Sequence, residues 1–364
     1  MKTEVKSTRH VLFISPELSE RGGREQLSHL LTKNLERVLA GKLEVFRLSN
    51  CRGTTNVLER LLGRIDGITV QSEAELLNRV SQSYPCCIFI EGSNLGRLAR
   101  LLGKSGFEIP IVTFYHNVEA RFFFDAMRAS PSIHTFGVLI ANFIAERWAA
   151  KYSQRRIFLN NRDAHMHEML YRHAGTDLLP MALRDEYNPA ITLANSSWDK
   201  PYALFVGGSF YANVEGIAWY AENVASCAPI ETIVVGRGME KHRTRLQKWG
   251  GLNVVGEVDD LAPWYAHAQI IVAPILSGSG MKTKTAEALM HGKPIAGTPE
   301  AFEGYDILPQ DGAMVCKTPA DFLRVLAEYA SLESGFNSAL RNLYTHHYSE
   351  HSMREKLGKI LYSI

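Results

Sequence analysis

The sequence predicts an α/β protein of two domains, each built on a parallel sheet. Short apolar runs alternate with longer helical segments over the whole chain, which places strands in one layer and helices on its faces. The runs form two series, in residues 10–160 and 202–298. Between them lies LLPMALRDEYNPA (178–190), which has no strong period and holds two prolines. A length of 364 residues leaves room for two or three domains.

The first strand is expected over residues 10–15, followed by a loop at 16–23. A helix over 24–40 follows, with Leu27, Leu30, Leu31, Val38 and Leu39 on one stripe. Further strands are expected at 43–48, 86–91, 110–116 and 156–160, then at 202–207, 231–236, 252–258, 269–273 and 294–298. The longest apolar helix, 135–152, is interrupted by Asn142, Glu146 and Arg147, which suits a buried helix better than a membrane span. The last stretch, 352–364, is expected to be helical. There is no low-complexity segment and no short-period repeat.

A hydrophobic content of 46% is ordinary for a globular protein and suffices for two cores. Cys51, Cys86, Cys87, Cys227 and Cys316 form no C-x-x-C pair, so they are expected to be reduced core residues of a cytoplasmic protein. The N-terminus runs straight into a strand without a secretory pattern. The net charge of +2 hides an asymmetry: residues 1–184 hold 25 Lys/Arg and 18 Asp/Glu, and residues 185–364 hold 15 and 20. Ordinary surface variation or an anionic partner for the first half would both produce it. Arg97, Arg100 and Lys104 beside Leu98, Leu101 and Leu102 fit a surface helix or a membrane-contact face.

The densest chemistry lies in QIIVAPILSGSGMKTKTAEALMHGKPIAGTPEAFEG (269–304). A strand ends at Pro274, a Gly/Ser loop follows, and a helix is expected over 281–291. Gly292 suits a left-handed C-cap, and Pro294 blocks continuation. Such a loop delivers a helix N-terminus whose free N–H groups favour an anion. Lys282 and Lys284 in the first turn oppose the helix dipole, which makes sense if they face a bound phosphate. Glu287, one turn on, suits hydrogen bonds from ribose hydroxyls.

On Gly278 to Gly280, Glu287, Gly292-Lys293-Pro294, Thr298-Pro299 and Glu303-Gly304, the chain resembles the retaining glycosyltransferases of family 4. The resemblance implies the GT-B fold: two Rossmann-like domains with parallel sheets facing a central cleft. It implies an acceptor-side domain over 1–184, joined by a C-terminal helix at 350–364, and a nucleotide-sugar domain over 185–349. Ser279 stands where the family carries the first of two Glu residues, and Glu287 holds the second position.

The same resemblance assigns the remaining candidates. Catalytic roles fall to His116, Lys282 and Glu287. Donor contacts fall to Gly22 and Gly23, Gly207 and Gly208, Arg237, Val258, Ser279, Gly280, Met281, Lys284 and Glu303. Asn213 is expected to cap the helix after Gly208. The glycine pairs and the G-x-G at Gly236 and Gly238 are equally readable as plain turns. Asp259-Asp260 is expected to be a helix cap rather than a metal motif. Acceptor contacts fall to Glu91 and Glu119; Glu119 and Arg121 would alternatively form an ion pair. Phe122-Phe123-Phe124 are expected in the core, with an aromatic lid over a lipid or sugar as the alternative. His165, His167, His346, His347 and His351 are expected at the surface, without metal.

The implied activity is transfer of a sugar from a nucleotide-diphosphate donor to a glycan or lipid-linked acceptor with retention, in bacterial surface polysaccharide or lipopolysaccharide assembly. No cofactor, metal or nucleic acid is expected. The expected location is cytoplasmic, with peripheral contact to the inner membrane. A nucleotide-sugar epimerase of the same fold and a non-catalytic partner subunit are the alternatives.

Overall fold

The computed structural model describes residues 10–17, 23–49, 59–60, 62–193, 200–278, 280–307, 309–332 and 336–363. The chain divides into two compact units, Met1–Pro180 with Met353–Ile364, and Met181–Ser352.

The first unit runs β1 (Val11–Pro16), α1 (Gly23–Leu39), β2 (Leu43–Leu48), α2 (Val70–Ser83), β3 (Cys87–Glu91), α3 (Gly96–Lys104), β4 (Ile111–Tyr115), α4 (Glu119–Ala129), α5 (Ile133–Tyr152), β5 (Arg155–Phe158), α6 (Asn161–Tyr171) and β6 (Asp177–Leu178). Its sheet has the order β2-β1-β3-β4-β5-β6, with every pairing parallel. β1, β3 and β4 are buried at every position, as strands covered on both faces must be. Leu12, Ile14, Ile88 and Ile90 pack against Leu76, Val80, Leu98 and Leu102.

The second unit runs α7 (Pro189–Leu193), β7 (Tyr202–Val206), α8 (Tyr211–Asn223), β8 (Glu231–Val235), α9 (Arg243–Leu246), β9 (Leu252–Gly256), α10 (Ala262–His267), β10 (Ile270–Ala273), α11 (Thr283–Met290), β11 (Ile295–Gly297), β12 (Ala313–Val315), α12 (Pro319–Ala330) and α13 (Ser338–Leu343). Its sheet order is β12-β11-β10-β7-β8-β9, again all parallel. Phe205, Val234, Ile270 and Val272 meet Ile217, Tyr220, Phe322 and Leu326 in its core. The last helix, α14 (Glu350–Tyr362), lies largely within the stretch grouped with the first unit. There Arg155 Nη2 donates to Ser363 Oγ at 3.1 Å.

Several expectations change. α5 starts at Ile133 because Ser132 and Thr135 form a capping box. Only its second half is buried, through Ala141, Ala145, Glu146 and Ala149; Ile133 is 94% exposed and Phe136 is exposed too. Phe122 and Phe123 are half-buried and Phe124 is exposed, so this run is not core. Cys86 and Cys227 are exposed, while Cys87 and Cys316 are buried; Cys51 lies outside the described residues. Arg97 is bound to Glu73 and Arg100 lies 4.5 Å from the Trp148 ring centre, so both heads are engaged within the unit. Among the described residues no helix is long and apolar enough to cross a membrane.

One buried carboxylate joins four segments of the first unit. Glu146 on α5 is fully buried, and burial pushes its pKa up against the pull of its hydrogen bonds. Oε1 accepts from Ser93 Oγ and the Glu119 N–H, both at 3.0 Å. Oε2 accepts from the Ala120 N–H at 3.1 Å and Tyr171 OH at 2.8 Å. A carboxylate from one helix thus satisfies the first amides of another, at its positive end. Glu146→Gln should lower stability by about 1–3 kcal/mol, because an amide NH₂ must face a backbone donor. The melting temperature should fall by roughly 2–4 °C per kcal/mol, and an unchanged midpoint would contradict this account.

Candidate functional site

In the second sheet the chain leaves β7 toward β8 and β9 on one side, while β10, β11 and β12 fill the other. The connections therefore diverge between β7 and β10, and the carboxyl ends of these two strands are where sheets of this kind take up ligands. The segments that leave this edge are Gly207-Gly208 after β7, Gly236 to Gly238 after β8, and, after β10, Pro274 to Gly278 and Gly280 to Lys282.

These turns are packed too tightly for side chains. A Cβ on Gly236, whose φ is +150°, would lie 2.1 Å from the Gly207 carbonyl oxygen. A Cβ on Gly216 in α8 would lie 1.9 Å from the Pro274 carbonyl oxygen. Asn213 ties the region together but does not cap α8, which begins at Tyr211 with Phe210 in the cap position. Its side-chain NH₂ donates to the Gly208 carbonyl at 3.0 Å, and its Oδ1 accepts from Lys284 Nζ at 2.6 Å.

The lysines behave differently from each other. Lys284, in the first turn of α11, is buried and lies 5.0 Å over the Phe205 ring. Burial pushes its pKa down to about 7, with nearby Glu287 opposing and Lys282 reinforcing the shift. Lys282 is the residue before α11, with φ −92° and ψ 117°, rather than part of the helix. Its Nζ donates to the Gly280 carbonyl and to Glu300 Oε1, each at 2.8 Å. Tyr305 OH donates to the Lys282 carbonyl at 2.7 Å and fixes its backbone.

Glu287 lies one turn into α11. Burial raises its pKa, while Tyr265 OH, donating to Oε2 at 2.7 Å, and Lys284 lower it. Tyr265 stacks on His291 with ring centres 4.7 Å apart. α11 ends at Met290, and Gly292 follows with φ +61°, the left-handed conformation that terminates helices.

The other donor-side candidates are spread around this edge. Met281 is buried and its sulfur accepts from the Met181 N–H at 3.2 Å. Arg237 is exposed, and its carbonyl accepts from the Ser209 N–H at 2.9 Å. Val258 and Glu303 are half-buried, on the segments after β9 and after the 3₁₀ turn Pro299–Phe302. Asp260 Oδ1 accepts from the Ala262 N–H at 2.9 Å, although Leu261 holds the cap position of α10. Ser279 and Gly22 lie outside the described residues, and Gly23 is the first residue of α1.

In the first sheet the connections diverge between β1 and β3. Glu91 is the last residue of β3, and His116 follows the end of neighbouring β4. His116 Nε2 and Glu91 Oε1 are 3.2 Å apart, and Ser28 Oγ donates to Glu91 Oε2 at 2.9 Å. All three are buried. The predicted His and Glu are thus brought together, with α1 supplying a third member that no sequence motif marks. Glu119 begins α4; Arg121 pairs with Asp125 at 2.8 Å.

The histidine expectation needs one correction. His165, His346, His347 and His351 are exposed, but His167 is fully buried among Tyr115, Phe158 and Tyr171. Its Nδ1 lies 3.0 Å from the His173 carbonyl, which fixes the ring proton there, and burial pushes its pKa down to about 4. Among the described residues no three His, Cys, Asp or Glu side chains converge as a metal set.

The depressed Lys284 pKa has a measurable consequence. Between pH 7 and the ordinary lysine value of 10.5, the unfolded chain holds a proton that the folded chain does not. Stability therefore rises with pH across that window, and the full penalty applies below it. Unfolding midpoints of wild type and Lys284→Met should differ by an amount that shifts in favour of wild type from pH 7 to pH 10. Parallel curves would show that Lys284 titrates normally.

Residues 200–331 match the family model of the glycosyl transferases group 1. No curated protein matches the sequence. The chain is similar in structure to sucrose-phosphate synthase from Thermosynechococcus elongatus, at 16% identity and a TM-score of 0.71 over 98% of both chains. It is similar to HepE from Anabaena in complex with UDP, at 13% identity and 0.66, over 98% of this chain and 100% of that one. It is also similar to the lipopolysaccharide outer core galactosyltransferase WaaB in its apo form, at 14% identity and 0.60, over 97% and 99%. The two parallel six-stranded sheets of this chain have the GT-B architecture, and the second carries the group 1 glycosyltransferase pattern.

Proposed function

We propose that this chain is a nucleotide-sugar-dependent glycosyltransferase acting with retention, of family 4 type. The observation that carries the proposal is the grouping of Lys282, just before α11, with Lys284 and Glu287 on that helix, at the divergence of β7 and β10 and inside the segment that matches the group 1 model. The donor's diphosphate would lie against the start of α11 and the Gly207-Gly208 turn, and its ribose would bind Glu287. The structure of HepE is a complex with UDP, so uridine is the first base to test.

The hard step is departure of the diphosphate while the sugar becomes oxocarbenium-like. Lys282 and the amides at the start of α11 stabilise the charge that grows on the leaving group; loss of one such donor costs about 3 kcal/mol, on the order of a hundredfold in rate. The acceptor hydroxyl attacks on the same face and passes its proton to the departing phosphate, so no two-carboxylate pair and no metal is needed. In the first unit, Glu91 orients His116, which hydrogen-bonds the sugar or the acceptor. Residues 1–184 with 350–364 serve the acceptor, and residues 185–349 bind the donor. The acceptor is a glycan or a lipid-linked glycan of a bacterial surface polysaccharide or lipopolysaccharide, met on the cytoplasmic face of the membrane. Exposed Phe124, Ile133 and Phe136 on α4 and α5 support a lipid-facing role.

The test is a thermal-shift screen with UDP, GDP, ADP, CMP and their sugars without metal. A ligand at a hundred times its dissociation constant adds about 2.7 kcal/mol, a shift of several degrees. One nucleotide should produce this in wild type and fail in Lys282→Ala and Glu287→Ala. No shift in folded protein would instead favour a non-catalytic partner subunit.

A further inference from the structure

We propose that Glu300 is a built-in competitor for the donor's diphosphate at Lys282, and so determines how strongly the site prefers phosphorylated ligands. The inference rests on the donor-site reading above. The Lys282 ammonium is engaged within the site itself, through Glu300 Oε1 and the Gly280 carbonyl, each at 2.8 Å. Its partners come from both sides of the loop: Gly280 from the segment after β10, and Glu300 from the turn Pro299–Phe302 after neighbouring β11. The pair also lies against the loop backbone. A Cβ on Gly278 would be 3.4 Å from Lys282 Cε and 3.9 Å from Glu300 Oε1.

Two physical consequences follow. A phosphate approaching Lys282 meets a carboxylate already bonded to the same ammonium, and the two anions repel. Glu300 must swing away, or binding is weakened. The pair is largely buried, its side chains 12% and 20% exposed, so the ammonium needs an anionic partner throughout, and an incoming phosphate can take over that role from Glu300. The neutral parts of a nucleoside carry no such conflict, so the penalty falls on the phosphates alone.

The experiment measures dissociation constants by calorimetry for UDP, GDP and ADP, each beside its nucleoside, and for inorganic pyrophosphate. Proteins are wild type, Glu300→Gln, Lys282→Ala and the double variant. Glu300→Gln is expected to tighten the preferred nucleoside diphosphate and pyrophosphate about tenfold, leave the nucleoside unchanged, and lose this gain in the Lys282→Ala background. Equal or weaker diphosphate binding by Glu300→Gln, with wild type binding normally, overturns the inference; the carboxylate then positions Lys282 or contacts the sugar. Tightening that persists without Lys282 also overturns it, because Glu300 would act by general charge. Absence of binding in all four folded proteins overturns the donor-site reading itself, and the inference with it.

Discussion

The divergence of chain connections between β7 and β10 is the constraint on which the second unit depends. A parallel sheet sends every connection out at the same edge, and only where the connections part is there a gap for a ligand. Gly207-Gly208 and the loop before α11 flank that gap because their strands are neighbours in the sheet, not in sequence. Close packing then fixes the turns: Gly236 against Gly207, Gly216 against Pro274, and Asn213 between the Gly208 carbonyl and Lys284. At Gly236 both the positive φ and the lack of a side chain are required, whereas at Gly216 only the lack of volume is.

Buried charges recur in both units, and each is held by helix ends or by polar partners aimed at it. Glu146 accepts from the first amides of α4, where the helix is positive. Lys293 is the mirror case: its Nζ donates to the carbonyls of Ala266 and Ala268 at the end of α10, at 2.8 and 3.0 Å, where the helix is negative. Burial still pushes the Lys293 pKa down to about 8. Lys284 rests on one amide oxygen and an aromatic face, a thinner compensation, and its pKa falls further.

The first unit shows how one buried carboxylate can set a contact between two other segments. Ser93 follows β3, which ends in Glu91, and Glu119 begins the helix after His116. By binding Ser93 and the amides of Glu119 and Ala120, Glu146 holds the two segments that carry Glu91 and His116. The Glu91–His116 contact is thus set from α5, a helix distant from both in sequence.

The sequence by itself determined the longer strands, the helix boundaries marked by glycine and proline, and the parallel two-sheet plan; the short edge strands β6 and β12 carry no pattern long enough to mark them. These follow from local rules: continuous apolar runs for strands covered on both faces, and Gly292 with Pro294 to stop a helix. It also marked Lys282, Lys284 and Glu287, whose spacing groups them from the residue before α11 to its second turn. Only the tertiary structure decided where the side-chain heads go. Lys284 turns to Asn213, Lys282 to Glu300, Glu287 to Tyr265 and His116 to Glu91, over sequence separations that no local period encodes. The burial of His167 and the exposure of Phe124 were equally illegible, because which face of a helix is covered depends on its neighbours across the sheet and not on its own composition.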